Sequence, residues 1–395
     1  MKTIYLDNNA TTRVADEVFD AIRPFFSERY GNPSSMHFFG GSVAREIVSA
    51  RENMAELLGA LPQEIVFTSG GTESDSTAIL SALSTMPDRR EIVTTRVEHP
   101  AVLNLCKYLA RVKGYTVRWL SVDKFGMLDM NEVKKAITDN TAIVSVMWAN
   151  NETGGMYPIE EIAKISAARG ALTHTDAVQA VGKVPINLSK TDINFLSLSG
   201  HKLHAPKGIG ALYIKKGTRF SPFMIGGHQE FSRRGGTENV PGIVGLGHAA
   251  RLAMKNFEEE NIRVKKMRDR LQQGLLERVS QARVNGHIEN RLPNTLNIGF
   301  EFVEGEAILM KMDEKGICAS SGSACTSGSL EPSHVLRAMG VPFTAVHGSI
   351  RFSLSRYNTE DEIEFVIEET PKIIMTLRAM SPFNVETINA ACVVQ

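Results

Sequence analysis

Four stretches of this sequence hold residues whose types and spacing could do chemistry. The first is Ser69-Gly70-Gly71-Thr72-Glu73-Ser74, between the β-rich run EIVFT and a helical run from Ser76 to Leu83. Small residues at a strand-to-helix turn leave backbone N–H groups at a helix N-terminus, where the dipole and the Thr72 hydroxyl favour a phosphate. The plainer alternative is an N-cap by Thr72 or Ser69. Neither a Walker nor a GxGxxG pattern accompanies the turn, so a nucleotide is not indicated. The second stretch, Thr175-Asp176-Ala177-Val178-Gln179, sits at the end of another β-rich run. There a three-residue offset can point Asp176 and Gln179 the same way, and a carboxylate so placed can bind a cationic ring nitrogen; capping is again the alternative. The third, SGHKLHAPKG from Ser199 to Gly208, carries an apolar strand straight into His201 and Lys202. A lysine dehydrated at a buried strand end becomes a Schiff-base nucleophile, although most lysines are simply solvated. These residues alone do not choose between Lys202 and Lys207. The fourth, SGSACTSGS around Cys325, sets a thiol among residues that neither fill a core nor hold a regular element.

The elements that must position these residues follow a clear rhythm. Short β-rich runs at 64–68, 91–95, 116–122, 141–149, 171–177, 193–199 and 210–214 alternate with helical stretches, as in a largely parallel sheet covered by helices. Val43, Ile47, Met54, Leu57 and Leu58 recur at helical spacing before Gly59, and Pro158 opens a helix carrying Ile159, Ile162, Ala163 and Ile165. After about residue 255 the texture changes to a long charged helix, the strands TLNIGF and GSIRFSLS, and a helix from Thr359, which reads as a smaller α+β domain. In the charged helix the basic stretch VKKMRDR adjoins an EEE run, which makes it a solvated face and not a nucleic-acid patch.

The 395 residues are 43% hydrophobic, enough for a large core in two domains or one large and one smaller domain. Forty-four basic residues balance forty-four acidic ones, so the charge favours neither nucleic acid nor an anionic membrane as partner. No apolar run approaches the roughly 20 residues that span a bilayer, and the start MKTIYLDNNATT lacks a signal-peptide pattern, so the cytoplasm is the expected location. The four cysteines are scattered without a CxxC pair, which argues against a disulfide framework or a metal site. Cys106 and Cys318 read as core residues and Cys392 as incidental.

Taken in order and spacing, the motifs resemble the class V branch of the fold-type I pyridoxal 5'-phosphate (PLP) enzymes. More narrowly, the chain resembles the NifS/IscS-type cysteine desulfurases over nearly its whole length. The resemblance rests on LDNNATT (6–12), GNPSSMH (31–37), TSGGTES (68–74), EHPAV (98–102), ANNETG (149–154), HTDAVQAVGK (174–183), SGHKLHAPKGIG (199–210), RRGGTEN (233–239), SSGSACTSGSLEPSHVLRAMG (320–340) and GSIRFSLSRY (348–357). It implies an α/β fold, with a large PLP-binding domain over 15–255 built on a mainly parallel seven-stranded sheet. Residues 1–14 and 256–395 would form a smaller α+β domain carrying a mobile catalytic loop of about 322–331.

The resemblance also implies roles. Lys202 matches the lysine that bonds the cofactor. Gly71, Thr72, Ser199 and His201 match the phosphate site, with Thr237 reaching in from a second subunit of a homodimer. Asp176 matches the carboxylate on the ring nitrogen, Gln179 and Asn151 match groups near the ring's phenolic oxygen and the substrate, and His99 matches the imidazole stacked on the ring. Arg351 matches the receptor of the substrate carboxylate, with Asn32 close by; without the resemblance, a structural salt bridge would be the preferred role for Arg351. The implied reaction turns L-cysteine into L-alanine, with Lys202 moving the Cα proton, His99 shuttling a proton for the thiol, and Cys325 taking the sulfur as a persulfide. An iron-sulfur scaffold protein would then receive it, and WANNETG, HKLHAPKG and TESDSTAIL lean toward the nitrogen-fixation type. The alternatives are a housekeeping desulfurase, a selenocysteine lyase and a class V transaminase. Outside the family stand a thiol hydrolase pairing Cys325 with His334 or His347, and a non-catalytic assembly partner with a decayed site.

Overall fold

The structure, a computed structural model, describes residues 2–321 and 332–380. Its strands are β1 (Ile4–Tyr5), β2 (Ile65–Thr68), β3 (Glu91–Thr95), β4 (Thr116–Leu120), β5 (Thr141–Ser145), β6 (Leu172–Asp176), β7 (Phe195–Ser199) and β8 (Gly210–Ile214) in the first part of the chain. In the second part are β9 (Ala282–Val284), β10 (Thr295–Phe300), β11 (Ile317–Cys318), β12 (Ser320–Ser321) and β13 (Ser349–Ser353).

Strands β2 to β8 form one seven-stranded sheet in the order β2-β8-β7-β6-β5-β3-β4. Only β8 runs against its neighbours; the other pairings in this sheet are parallel. Strands β2, β3, β5, β7 and β8 are buried along their whole length, as expected where helices cover both faces. The run expected to be strand over 141–149 is regular strand only to Ser145: beyond it Val146 N and Trp148 N still donate to His174 O and Asp176 O of β6, while Met147 N, on the other side, donates to the Glu98 carboxyl in place of β3. Helix Phe38–Leu58 buries Val43, Ile47, Met54 and Leu58 and stops at Gly59, whose left-handed φ of 60° suits glycine.

The four-stranded sheet β12-β13-β10-β9 is antiparallel throughout. Leu296, Ile298, Phe300, Ile350 and Phe352 pack there against apolar faces of helices Phe257–Arg278 and Glu360–Met380. Ile4 and Leu6 join that core, so the chain start belongs with the chain end. Val335, Leu336, Met339, Val341, Ala345 and Val346 pack instead in the core of the large sheet. Apolar contacts therefore cross the expected domain division just after residue 332. Among the described residues no helix is long and apolar enough to cross a membrane.

Candidate active site

The C-terminal ends of β3, β5, β6 and β7 and the turn after β2 converge on one cavity of about 360 Å³. In open parallel sheets this is where ligands bind. At one end, helix Gly71–Thr85 begins with Gly71 and Thr72 at the cavity wall, beside Ser199 and His201. Gly71 lies so close to β6's following turn that a Cβ would come within 2.8 Å of Val178 Cγ2. Glu73 in the first helical turn accepts from Ser69 N at 2.8 Å and from Arg234 Nε at 2.9 Å, tying RRGGTEN to this turn. His201 shares a hydrogen bond with Thr11 Oγ1 at 3.1 Å. Burial, then the Lys202 charge, pushes the His201 pKa down to about 4, so its ring is neutral.

The cavity floor is acidic. Asp176, the last residue of β6, accepts from Val178 N at 2.9 Å, and burial followed by the Asp75 charge raises its pKa to about 7. Asp75, one turn into the helix after the phosphate-type turn, also lines the cavity and is raised to about 7 by burial. Its Oδ1 has no hydrogen-bond partner, with His174 Nε2 at 3.4 Å. His174 behind it bridges Ser145 Oγ at 2.8 Å and Ser197 Oγ at 2.9 Å, and burial lowers its pKa to about 4.

Lys202 sits in the short turn after β7 and lines the cavity; its Nζ donates to Asn9 O at 2.6 Å and Ala10 O at 2.5 Å. Lys207 is exposed and does not line it, so the geometry distinguishes two lysines that the sequence left equal. Gln179 donates from Nε2 to Asn9 O at 3.0 Å. His99 caps helix Pro100–Lys113, accepting Ala101 N at its Nδ1, which leaves the ring proton on Nε2. Burial dominates a downward shift of its pKa.

At the other end Arg351 projects from β13, with Nη2 at 2.7 Å from Asp7 Oδ1 and Nη1 donating to Asn151 O at 3.1 Å. Its Nε is buried without a partner. The salt bridge considered for Arg351 is thus present, and so is its place in the cavity wall beside Asn151. Asn32 is exposed, accepts from Ser34 N and does not line the cavity; Thr237 is likewise exposed and outside it. Cys325, Cys392 and the expected loop of 322–331 lie outside the described residues. Cys106 is fully buried, with its thiol pushed up to about 12 by burial, and Cys318 is half-buried on β11.

Sequence reasoning assigned no role to Asp7, Asn9, Ala10 or Asp75, all of which line the cavity. Three of them, Asp7, Asn9 and Ala10, lie in LDNNATT, one of the motifs that carry the family resemblance.

Residues 4–366 match the family described as Aminotransferase class-V. A protein of Nostoc sp. (strain PCC 7120) named "Cysteine desulfurase" is 60% identical over 97% of this chain and 96% of its own. "Cysteine desulfurase NifS" of Azotobacter vinelandii is 59% identical over 97% of this chain and 95% of its own. A solved structure titled "NIFS-LIKE PROTEIN" superposes with a TM-score of 0.89 at 38% identity, covering 95% of this chain and 100% of that one. The chain belongs to the class-V aminotransferases, in their NifS-type cysteine desulfurase branch. Members of this family are PLP enzymes of fold type I, and PLP is the cofactor here.

The residues present fit that cofactor. A helix N-terminus with small and hydroxyl residues suits its phosphate, and a lysine lines the same cavity. Asp75 Oδ1 is a buried orphan, and Asp176 is a carboxyl held up by burial; a cationic ring nitrogen facing them supplies the counter-charge that favours the ionised form. A cavity of this size lies in the range of small-molecule sites.

Proposed function

We propose that this chain acts on L-cysteine in the cavity between Lys202 and Arg351, yielding L-alanine and a persulfide on Cys325. The observation that carries the reading is the meeting of four groups in one cavity: the Gly71–Thr72 turn, Asp176, Lys202 and Arg351. When bound, PLP supplies the electron sink for the pair left at the substrate Cα. Gly71, Thr72, Ser199 and His201 hold the phosphate, joined by Thr237 of the second subunit in a homodimer. Asp176 would keep the ring nitrogen protonated. Asn151 and Gln179 flank the phenolic oxygen and the substrate. Lys202 would hold the cofactor covalently and is placed to move the substrate Cα proton. His99, in the cavity wall with its proton on Nε2, would lie against the ring and relay the thiol proton. Arg351 receives the substrate carboxylate in its guanidinium fork, with Asn32 beside it.

The Cys325 thiolate attacks the substrate sulfur. An S–S bond forms, the C–S bond breaks with its electron pair going to carbon, and protonation of that carbon, followed by return of a proton to Cα from Lys202, yields alanine. The first described stretch ends at Ser321, one residue past the Ser320 that pairs with Arg351 across β12 and β13. Cys325 is four residues further, a span of at most about 14 Å for an extended chain, which supports its access to the cavity. The sulfur then passes to an iron-sulfur scaffold protein in the cytoplasm, and the NifS-type resemblance favours nitrogenase maturation as its destination. The division into a domain of 15–255 and one of 1–14 with 256–395 belongs to the same reading.

The test is the purified holoenzyme with L-cysteine, measuring alanine and sulfur release together. Cys325→Ala should keep the visible cofactor absorbance and lose sulfur release; undiminished release would overturn its assignment. Lys202→Ala should lose the borohydride-reducible bond to the cofactor, and its persistence would move the role to another lysine.

A further inference from the structure

Lys183 is half-buried and has no part in the roles above. It closes the block HTDAVQAVGK four residues after Gln179, and its Nζ donates to Gln179 O at 3.0 Å and reaches Gln179 Oε1 at 3.5 Å. On the other side of the same amide, Gln179 Nε2 donates to Asn9 O at 3.0 Å, the carbonyl that also accepts from Lys202 Nζ. Lys183 and Lys202 line one small cavity of about 40 Å³ with Glu260 and Arg356. Glu260 is already paired with Arg356 at 3.0 Å. Burial, then the Lys202 charge, lowers the Lys183 pKa to about 7, while Glu260 works in the other direction. Both hydrogen bonds of its Nζ go to Gln179, so packing of the aliphatic stem alone does not account for this residue.

We propose that Lys183 is a positioning residue: it holds the Gln179 amide with its oxygen turned to Lys183 and its N–H group turned to the cofactor cavity. This rests on the reading that Gln179 stands beside the cofactor's phenolic oxygen. A flipped amide would set its NH2 group against the Lys183 donor and its oxygen against the Asn9 carbonyl, exchanging two attractions for two repulsions. With the amide held, a donor faces the phenolic oxygen and favours its ionised form.

The experiment titrates the visible absorbance of the holoenzyme against pH in the wild type, Gln179→Leu, Lys183→Met and the double variant. Gln179→Leu should raise the midpoint by about one unit, the size of one lost hydrogen bond to a charged group. Lys183→Met should raise it in the same direction, and the double variant no further than Gln179→Leu alone. Lys183→Gln keeps a donor and should restore most of the wild-type midpoint; it also serves where the methionine variant fails to fold. If Gln179→Leu moves the midpoint and neither Lys183 variant does, the positioning role is overturned and the reading of Gln179 stands. If Gln179→Leu leaves the midpoint unchanged, that reading fails and the proposal with it. If Lys183→Met still raises the midpoint in the Gln179→Leu background, Lys183 acts directly through its charge and the proposal is overturned.

Discussion

Arg51 and Arg351 are both nearly buried, and each meets a carboxylate, yet their hydrogen bonding is completed to different degrees. Arg51 grips Glu230 with both Nη atoms at 2.7 Å, and Nη1 also donates to Ile65 O. Glu230 in turn accepts Phe67 N at 2.8 Å, and the Arg51 guanidinium stacks between the Phe67 and Phe231 rings. Arg351 uses one Nη on Asp7 and one on a carbonyl, and its Nε is left buried without a partner. A buried pair joined by two hydrogen bonds and tied further to the backbone holds structure together, because nothing in it can be exchanged without loss. An incompletely satisfied arginine in a cavity wall can accept an incoming carboxylate, trading one acceptor for a better fork. The same residue type thus serves scaffold and site, and the distinction lies in how many of its donors are already committed.

The largest effect should come from breaking the completed pair. Glu230→Ala leaves a buried guanidinium unpaired and should destabilise the fold by about 3–5 kcal/mol, read by denaturant or thermal unfolding. Glu230, Phe231 and Ser232 all sit at positive φ between 47° and 62°, and the Arg51 contacts hold that strained run just before RRGGTEN. A loss below 1 kcal/mol would show that the pair contributes little and would undo the comparison. Arg351→Leu should spare stability by contrast and lower kcat/KM for L-cysteine by about 100-fold, the worth of a charge-assisted fork. Arg351→Lys should fall between, since an ammonium cannot fork. Equal losses of stability in the Arg351 and Glu230 variants would place Arg351 with the scaffold.

A second carboxyl near Arg351 sharpens the contrast through pH. Glu152 is buried, hydrogen-bonded to Ser333, and raised by burial to about 7, with Arg351 pulling the other way. Its folded pKa lies above the unfolded value of about 4.3, so between those pH values the native state binds more protons and stability falls as pH rises. Glu152→Gln should flatten the fall in melting temperature between about pH 5 and pH 7, an effect on the order of 2 kcal/mol. An unchanged slope would mean that the carboxyl is ionised in the folded protein.

The same contrast explains what the sequence made legible. Strands 91–95 and 210–214 and the turn after β2 could be read from local pattern, because β-branched runs and small-residue turns carry their own signal. The residues around Lys202 could be read as motif but not ranked against Lys207, since the choice depends on carbonyls of Asn9 and Ala10 some 190 positions away. Arg351 could be read only through resemblance: its partner Asp7 lies 344 residues away in the sequence, and no periodicity reports such a meeting. The expected strand over 141–149 was too long because the buried Glu98 carboxyl takes Met147 N, ending the pairing with β3 while the bonds to β6 continue. Local propensity was legible throughout, while buried polar partnerships formed across the fold were not.

The smallest predicted effect probes that long-range pair directly. Asp7 is about one-fifth exposed at its side chain and engages a single Nη of Arg351, so in the free enzyme it competes with a substrate carboxylate for the fork. Asp7→Asn removes the competing charge and keeps an acceptor for Nη2. The expected result is a KM for L-cysteine lowered roughly threefold with kcat unchanged, the size of one partly solvated ion pair. If KM rises instead, Asp7 holds the guanidinium in place for the substrate, and the open side of the comparison becomes a preorganised receptor in which the carboxylate partner is part of the site.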